Sequence, residues 1–276
     1  MENKEITFLI VTFQSEKIIH KCLNELPQES PKIIIENSGN KTLKDDLEKK
    51  YQNLECIIMS KNLGYGKANN LGIIKSKTNF VFIINPDTFI SKDKFNLFLS
   101  KVSKENFSIA SLLENDDRFH DSFNSQGIKE VNFVKGFAML IDKKKMFGQY
   151  FDEKIFLYLE EIDLCLNIKK KGGRIILVDI KIQHLGGKSH NNLQNFEIIK
   201  SRNWHWMWSK FYFNKKHYGY FLAFIKTVPN LFSSLFKYGI YKVTLNSKQK
   251  IIYKMRFLGL LNSYLLKESF YRPHID

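Results

Sequence analysis

The first 90 residues alternate short apolar runs with segments of helical periodicity. Four runs rich in Ile, Val and Phe predict buried strands at Ile6–Phe13, Lys32–Glu36, Glu55–Met59 and Asn79–Ile84. Apolar positions recur at helical spacing after Ser15, over Leu43–Tyr51 and near Lys67–Ser76, which predicts three intervening helices. Because strand and helix alternate with short links, we expect an α/β fold on a mostly parallel, doubly wound sheet flanked by helices.

Beyond residue 100 the pattern is less regular. The segments Val131–Ile141 and Arg174–Asp179 predict further strands. A helix is expected over Glu161–Lys171, closed by two glycines at its C-terminus. The polar stretch Leu113–Gly127 is expected to form a surface loop.

Composition narrows the class of protein. Of the 276 residues, 43% are hydrophobic and 26% charged, which is ordinary globular usage and excludes disordered, collagen-like and disulfide-scaffold chains. The three cysteines, Cys22, Cys56 and Cys165, are scattered and odd in number. This excludes a disulfide framework or a zinc knuckle and predicts a reducing, cytoplasmic compartment.

Charge and aromatic residues are concentrated at the C-terminal end. The net charge is +15, and residues 201–276 contain 13 Lys or Arg, two acids and 19 of the 39 aromatic residues. This change predicts two domains, 1–205 and 206–276, the second a helical, basic and aromatic extension. Basic and aromatic helices bind anionic membrane surfaces, so this is the partner expected for 201–276. The alternative is that the aromatic side chains pack on the first domain.

No targeting or membrane-spanning segment is expected. Acids at Glu2 and Glu5 are atypical of a secretory signal. In the tail, the longest uncharged stretch, Thr227–Phe236, is about half the length that a spanning helix needs. The predicted location is therefore cytoplasmic and peripheral, on the inner face of the cell membrane.

Polar residues at strand ends are the first candidates for chemistry, because such sheets bind ligands at the carboxyl ends of their strands. These residues are Thr12, Glu36, Asn62 and Asp87. Pro86 must end its strand, which holds Asp87 at the edge, where a carboxylate suits Mg²⁺ or Mn²⁺ beside a diphosphate. The alternative is a turn that Asp87 merely caps.

Three further motifs each allow more than one interpretation. Gly64, Gly66, Lys67 and Asn69 surround a predicted helix N-terminus, which suits an anion or simply a helix entry. Glu160, Glu161 and Asp163 suit a general base for a sugar hydroxyl or solvated helix caps. His184, near Lys188, suits a metal ligand, a phosphate contact or a structural histidine.

The order and spacing of these motifs resemble a family 2 glycosyltransferase with the GT-A fold, closest to the rhamnosyltransferase-like branch that builds bacterial surface polysaccharides. The similarity runs from about residue 5 to residue 210. The matching segments are Ile10–Gln14, Ile35–Ser38, Lys61–Gly72, Ile84–Thr88, Val134–Ile141, Phe151–Leu166 and His184–Ser189.

The resemblance implies a role for each matching residue. A nucleotide-sugar donor would contact Thr12, Glu36, Asn62, Gly64, Lys67, Asn69, Asn85 and Asp87. Asp87 and His184 would hold Mg²⁺ or Mn²⁺, and Gly136, Tyr158 and Asp163 would contact the acceptor. Three residues depart from the family pattern, since Glu36, Asn85 and Glu161 each stand where the family usually has Asp.

The implied reaction is a single-displacement, inverting transfer from a dTDP- or UDP-sugar to a saccharide, with a lipid-linked acceptor expected. Glu161 would be the base, with Glu160 as the alternative. A catalytically impaired scaffold of the same family and a basic nucleic-acid-binding protein are the competing functions. A nucleotidyltransferase is disfavoured, because Thr12–Glu16 lacks the glycine-rich loop such enzymes need. No nucleic-acid partner is expected, and an oligomer is compatible with the sequence.

Overall fold

The computed structural model describes residues 2–117, 123–186 and 196–273. Contacts divide the chain into two compact units. The first, here called the sheet unit, comprises Met1–Phe151 and Glu161–Asn191. The second, the helical unit, comprises Asp152–Glu160 and Asn192–Asp276.

One sheet organises the sheet unit. Its strands, within the described residues, are β1 (Ile6–Thr12), β2 (Lys32–Glu36), β3 (Leu54–Ile58), β4 (Phe80–Ile84), β5 (Thr88–Phe89), β6 (Ile109–Glu114), β7 (Ile128–Glu130), β8 (Ala138–Asp142) and β9 (Ile175–His184). They are hydrogen-bonded in the order β3-β2-β1-β4-β8-β6-β9-β5, and β7 pairs with β9. The β3-β2-β1-β4 half is parallel, as predicted, and β6 is parallel to β9.

Helices cover both faces of this sheet. They are α1 (Glu16–Glu25), α2 (Lys41–Lys50), α3 (Tyr65–Lys75), α4 (Lys92–Val102) and α5 (Glu160–Lys170). Alternate residues of β1 enter opposite layers, with Phe8 facing the apolar residues of α1, α2 and α4, and Leu9 facing those of α3 and α5. The central strands β1, β2, β4 and β8 each supply residues to both cores, which is why their sequences are mainly apolar.

The helical unit is built from α6 (Phe196–Tyr218), α7 (Tyr220–Val243) and α8 (Ser247–Tyr264). Trp204 and Trp208 of α6 pack with Met255 of α8. A Cβ at Gly259 would lie 2.2 Å from the Trp204 carbonyl oxygen, so glycine permits α6 and α8 to approach closely. Among the described helices, none is long and apolar enough to cross a bilayer.

The main differences from the sequence prediction lie after residue 85. The predicted strand Val131–Ile141 is correct only in its C-terminal part, where β8 begins at Ala138. The preceding residues, 131–137, connect β7, which pairs with β9, to β8, which pairs with β4 and β6. The predicted loop Leu113–Gly127 begins inside β6, where Leu113 is buried. Residues 118–122 of that segment lie outside the described residues.

The predicted domain boundary after residue 205 falls inside α6, a continuous helix. Its aromatic core includes Trp204, so the helical unit begins before the predicted boundary. The unit also includes Asp152–Glu160, because Asp152 accepts hydrogen bonds from Tyr212 and Lys216 of α6 at 2.9 and 2.7 Å.

Candidate active site

Two carboxylates and one imidazole, side chains that can bind a metal or transfer a proton, meet at one edge of the sheet. β8 is antiparallel to both β4 and β6, so β4 and β6 run in the same direction, and β9 is parallel to β6. The carboxyl ends of β4, β6 and β9 therefore lie at the same edge. Asp87 follows β4, Glu114 ends β6 and His184 ends β9.

Asp87 is held by a tight turn at this edge. The Thr88 N–H donates to the Asn85 carbonyl at 3.0 Å across Pro86, and the Leu185 N–H donates to the Asp87 carbonyl at 3.0 Å. The Asp87 side chain is 1% exposed, and both of its carboxylate oxygens are buried without a hydrogen-bond partner among the described residues. A capping role would require an N–H bonded to this carboxylate, so the geometry disfavours that alternative.

His184 lies between two carboxylates. Its Nε2 is 3.5 Å from Asp87 Oδ1, and its Nδ1 is 2.9 Å from Glu114 Oε1. Its ring stacks on Phe137, with centroids 4.8 Å apart. Burial lowers the pKa of His184, but the carboxylates of Asp87 and Glu114 outweigh burial, so the net pKa is raised.

This arrangement fits a divalent cation. A buried carboxylate without partners is costly, and a cation would satisfy it. When His184 is neutral, an Nδ1–H donated to Glu114 leaves the Nε2 lone pair facing Asp87, as in the carboxylate–histidine–metal arrangements of protein metal sites. Over residues 2–117, 123–186 and 196–273, no three His, Cys, Asp or Glu side chains form a metal-ligand cluster. Among these residues, Asp87 and His184 are the two candidate ligands.

The Glu36 carboxylate forms its hydrogen bonds within the turn that directly follows β2. It pairs with Thr12 at the ends of β2 and β1, and both side chains are fully buried. The Glu36 carboxylate accepts hydrogen bonds from the N–H and hydroxyl groups of Ser38 and from the Asn40 N–H at 2.7 Å. The structure thus shows Glu36 shaping the loop after β2.

The glycine-rich segment forms a positioned loop before α3. The Asn62 side chain accepts from the Gly64 N–H at 2.9 Å, and Gly64 caps α3 with a φ of 83°, which favours glycine. Asn37 bridges to this loop through Leu63 N–H and the Gly64 carbonyl, each at 3.3 Å. Farther along α3, the buried Asn69 Oδ1 has no hydrogen-bond partner in the described chain. Lys67 is exposed.

Glu161 lies beside Gly136 and Tyr65. A Cβ at Gly136 would lie 3.5 Å from both Glu161 Cβ and the Tyr65 hydroxyl oxygen, and that hydroxyl donates to the Gly136 carbonyl. Glu161 is half-buried, and desolvation raises its pKa against the opposing effect of backbone hydrogen bonds from Glu161 and Ile162. A carboxylate with a raised pKa at the first turn of α5 suits proton transfer.

The remaining candidates have distinct environments. Glu160 is buried, and Asp163 is fully buried with its carboxylate accepting from Asn167 at 3.1 Å, so the structure does not bring Asp163 to the surface. Tyr158 and Leu159 have φ of 72° and 70°, a strained conformation directly before α5. The Asn85 backbone N–H donates to the Phe137 carbonyl at 2.9 Å.

Comparison with known proteins identifies the family. A sequence model described as glycosyl transferase family 2 matches residues 7–158, more than half of the chain. The chain belongs to glycosyl transferase family 2. The match contains the Asp87 turn and the α3 loop and ends directly before α5.

Individual relatives are distant. The chain is 24% identical to the low-salt glycan biosynthesis hexosyltransferase Agl10 of Haloferax volcanii, over 60% of this chain and 62% of that protein. It is 23% identical to the rhamnosyltransferase WbbL of Escherichia coli, over 72% of this chain and 89% of that protein. The chain thus spans less than two thirds of the first relative and most of the second.

Solved structures confirm the GT-A fold. The mannosyltransferase PcManGT of Pyrobaculum calidifontis, solved with GDP-Man and Mn²⁺, matches with a TM-score of 0.60 at 12% identity. The match covers 96% of this chain and 88% of that structure. The α/β fold with a C-terminal helical region, expected from the resemblance, is therefore confirmed.

Several contributors to this candidate site were missed by sequence reasoning. Glu114 orients His184, Phe137 stacks on it, Asn37 connects two loops, and Tyr65 adjoins Gly136. Identifying β6 as a strand would have flagged Glu114 by the strand-end argument that found Asp87. Lys188, considered as a phosphate contact, lies outside the described residues.

Proposed function

We propose that the protein is an inverting glycosyltransferase that moves a sugar from a dTDP- or UDP-sugar to a saccharide acceptor. The observation that carries this proposal is the buried Asp87 carboxylate, which has no hydrogen-bond partner among the described residues and faces His184 Nε2 at the carboxyl edge of the sheet. The expected acceptor is lipid-linked, in the synthesis of a bacterial surface polysaccharide such as lipopolysaccharide or capsule. The name of the relative WbbL, a rhamnosyltransferase, supports the transfer of a sugar as the reaction.

The nucleotide-sugar would lie along the carboxyl edge of β1, β2 and β4. Thr12 and Glu36 would border the base and ribose, with Glu36 acting through the turn it holds. The loop of Asn62 and Gly64 would face the diphosphate, with Lys67 and Asn69 on α3 supplying a charge and an amide. Asp87 and His184 would hold Mg²⁺ or Mn²⁺ next to Asn85, and the ion would supply positive charge against the diphosphate leaving group. The Mn²⁺ in the PcManGT structure supports this choice of cofactor.

Glu161 is the proposed base. Its carboxylate takes the proton from the acceptor hydroxyl while that oxygen attacks the anomeric carbon. The bond from the anomeric carbon to the diphosphate oxygen breaks from the opposite face, so the configuration inverts. Gly136 leaves space beside Glu161, and the Tyr65 hydrogen bond to the Gly136 carbonyl fixes that wall. Tyr158 and Asp163 remain proposed acceptor contacts, although the burial of Asp163 favours a supporting role.

The helical unit is the proposed membrane contact, and the proposed location is the inner face of the cell membrane. Helix α7 exposes large apolar side chains, including Phe221 at 73%, Phe236 at 70% and Val243 at 82%. Lys226 and Lys237 lie on the same helix and are exposed. Apolar side chains interspersed with lysines are typical of helices that lie in an anionic membrane interface.

A panel of nucleotide-sugars tests the function. We expect one UDP- or dTDP-sugar to raise the thermal unfolding temperature of the full chain in Mn²⁺, and the Mn²⁺-dependent part of this rise to disappear in Asp87→Ala. Transfer to a lipid-linked saccharide, followed by mass spectrometry of the product, completes the test. Donor binding without turnover would instead identify a scaffold. Binding of no nucleotide-sugar would refute the proposal.

A further inference from the structure

A cavity lies within the helical unit. It has a volume of about 430 Å³ and is lined by Tyr158 and by residues of α6 and α8, namely Ile199, Arg202, Asn203, Trp206, Lys248, Ile252 and Arg256. Three of the eight lining side chains are cationic, and no lining residue is acidic. The volume is within the range of small-molecule binding sites.

The two arginines are oriented by neutral oxygen atoms. Arg202 Nε donates to the Tyr158 hydroxyl at 2.9 Å, and Arg256 Nε donates to the Asn203 side-chain oxygen at 2.8 Å. Within the described chain, neither guanidinium has a carboxylate partner. Both side chains are therefore fixed in place while each keeps its full positive charge.

Two acids of the helical unit, Glu197 and Asp152, are engaged with other groups. Glu197 pairs with Lys200 at 2.5 Å and accepts from the Tyr271 hydroxyl at 3.1 Å. Asp152 pairs with Lys216 at 2.7 Å. The positive charge of the cavity is thus left for a ligand.

The third cation lies at a helix N-terminus. Lys248 is the second residue of α8, whose first turn contains no acid, and it is exposed. The partial positive charge of a helix N-terminus adds to that of Lys248 and favours an anion at this end of the cavity. The lining also includes an aromatic pair, here called the aromatic wall. The rings of Tyr158 and Trp206 meet edge to face, with their centroids 5.3 Å apart.

We propose that this cavity binds a phosphate or diphosphate ester, with the arginines on the phosphate oxygens and the aromatic wall against the attached organic group. A planar guanidinium group can donate two parallel hydrogen bonds to two oxygens of one phosphate. Each of the two fixed arginines is therefore suited to bind a phosphate group. The ester is assigned to the acceptor, as the diphosphate of a lipid-linked saccharide. That assignment rests on the proposed function, whereas the phosphate site itself does not.

Calorimetric titration of the full chain with inorganic diphosphate and with farnesyl diphosphate tests the site. A chelator is present, so that no metal-dependent diphosphate binding at Asp87 contributes. UDP is left out, because it is itself a diphosphate ester and would compete for the cavity. We expect Arg202→Gln and Arg256→Gln each to weaken diphosphate binding about tenfold or more, as loss of a charge-assisted hydrogen bond requires. Lys248→Gln, at an exposed position without a described partner, should weaken it by a smaller factor without affecting folding.

A charge-matched control separates the cavity from general basicity. The double variant Lys226→Gln/Lys242→Gln removes two cations from α7, outside the cavity. It should leave diphosphate affinity unchanged, whereas Arg202→Gln/Arg256→Gln abolishes it. Equal affinity in the wild type and all cavity variants, Lys248→Gln included, would overturn the phosphate site, and so would equal losses in the cavity and control variants.

Vesicle binding distinguishes the two sources of phosphate. Cavity variants that lose diphosphate but still sediment with phosphatidylglycerol vesicles support the acceptor assignment. Cavity variants that lose both to the same extent overturn it in favour of a phospholipid headgroup. If the wild type binds diphosphate in the cavity but no nucleotide-sugar, the proposed function fails and the phosphate site stands.

Discussion

Two buried acids at the same edge of the sheet should respond in opposite ways to loss of their charge. Asp87 and Glu36 are 1% and 0% exposed. The Asp87 carboxylate oxygens have no hydrogen-bond partner in the described chain, whereas those of Glu36 accept from Ser38 and Asn40. We therefore expect Asp87→Asn to stabilise the metal-free protein and Glu36→Gln to destabilise it.

The expected magnitudes follow from these contacts. Each hydrogen bond to a charged group contributes about 1.5–3 kcal/mol, and the amide introduced by Glu36→Gln would place an N–H₂ group against the Asn40 N–H, so the loss in unfolding free energy is about 2–4 kcal/mol. Burial of an unpaired charge costs several kcal/mol, partly offset at Asp87 by His184 at 3.5 Å. The relief in Asp87→Asn is then about 1 kcal/mol.

Thermal unfolding measures both effects. A change of 1 kcal/mol shifts the unfolding temperature by about 2–4 °C for a domain of this size. In chelator, Asp87→Asn should therefore unfold about 2–4 °C above the wild type and Glu36→Gln about 4–16 °C below it. With Mn²⁺ and a nucleotide-sugar, the wild type should gain stability and Asp87→Asn should not. A fall in unfolding temperature for Asp87→Asn in chelator, comparable to that of Glu36→Gln, would refute the reasoning and make Asp87 structural.

Other expected outcomes concern the base, the metal and the space beside them. Glu161→Gln should lower kcat by about 10²–10⁴-fold with the KM for the nucleotide-sugar nearly unchanged, whereas Glu160→Gln should keep most activity; the reverse result would make Glu160 the base. Because burial raises the pKa of Glu161 and the base acts deprotonated, wild-type kcat should fall as pH falls through a value above the ordinary glutamate range, and a pH profile flat down to about pH 4 would contradict this. Glu114→Gln should weaken Mn²⁺ binding about 10–100-fold, measured by titration, and unchanged affinity would remove Glu114 from the site. Gly136→Ala should fold like the wild type but transfer the sugar more slowly, because its new Cβ meets its neighbours at an ordinary 3.5 Å. Gly72→Ala should lower the unfolding temperature, because its new Cβ would lie 2.1 Å from Leu9 Cδ1. Equal changes in unfolding temperature for the two variants would contradict this packing.

Sequence reasoning was most successful where the residues of a single strand are enough to make the prediction. The strands β1 to β4 were predicted because each is a continuous apolar run, and β2 was predicted residue for residue. Asp87 was located because Pro86 must end β4. These arguments need only local chain chemistry, so one sequence suffices for them.

Contacts between distant segments were beyond such reasoning. β6 was not predicted because its short apolar run enters a polar segment, and Glu114 was missed with it. That Glu36 serves its own turn depends on the path of Ser38 and Asn40, which periodicity does not reveal. The position of residues 152–160 in the helical unit depends on contacts of Asp152 with side chains about 60 residues away.

The central claim is that the Asp87 edge of the sheet holds the metal and diphosphate of a nucleotide-sugar, with Glu161 facing the sugar. A crystal structure of the full chain with Mn²⁺ and the nucleotide-sugar that gives the largest thermal shift tests it most directly. We predict an anomalous Mn²⁺ peak about 2.0–2.5 Å from an Asp87 carboxylate oxygen, the diphosphate on the same ion, and the Glu161 carboxylate on the side of the anomeric carbon opposite the diphosphate. A nucleotide bound in another cavity, or an ion that Asp87 does not touch, would contradict the account.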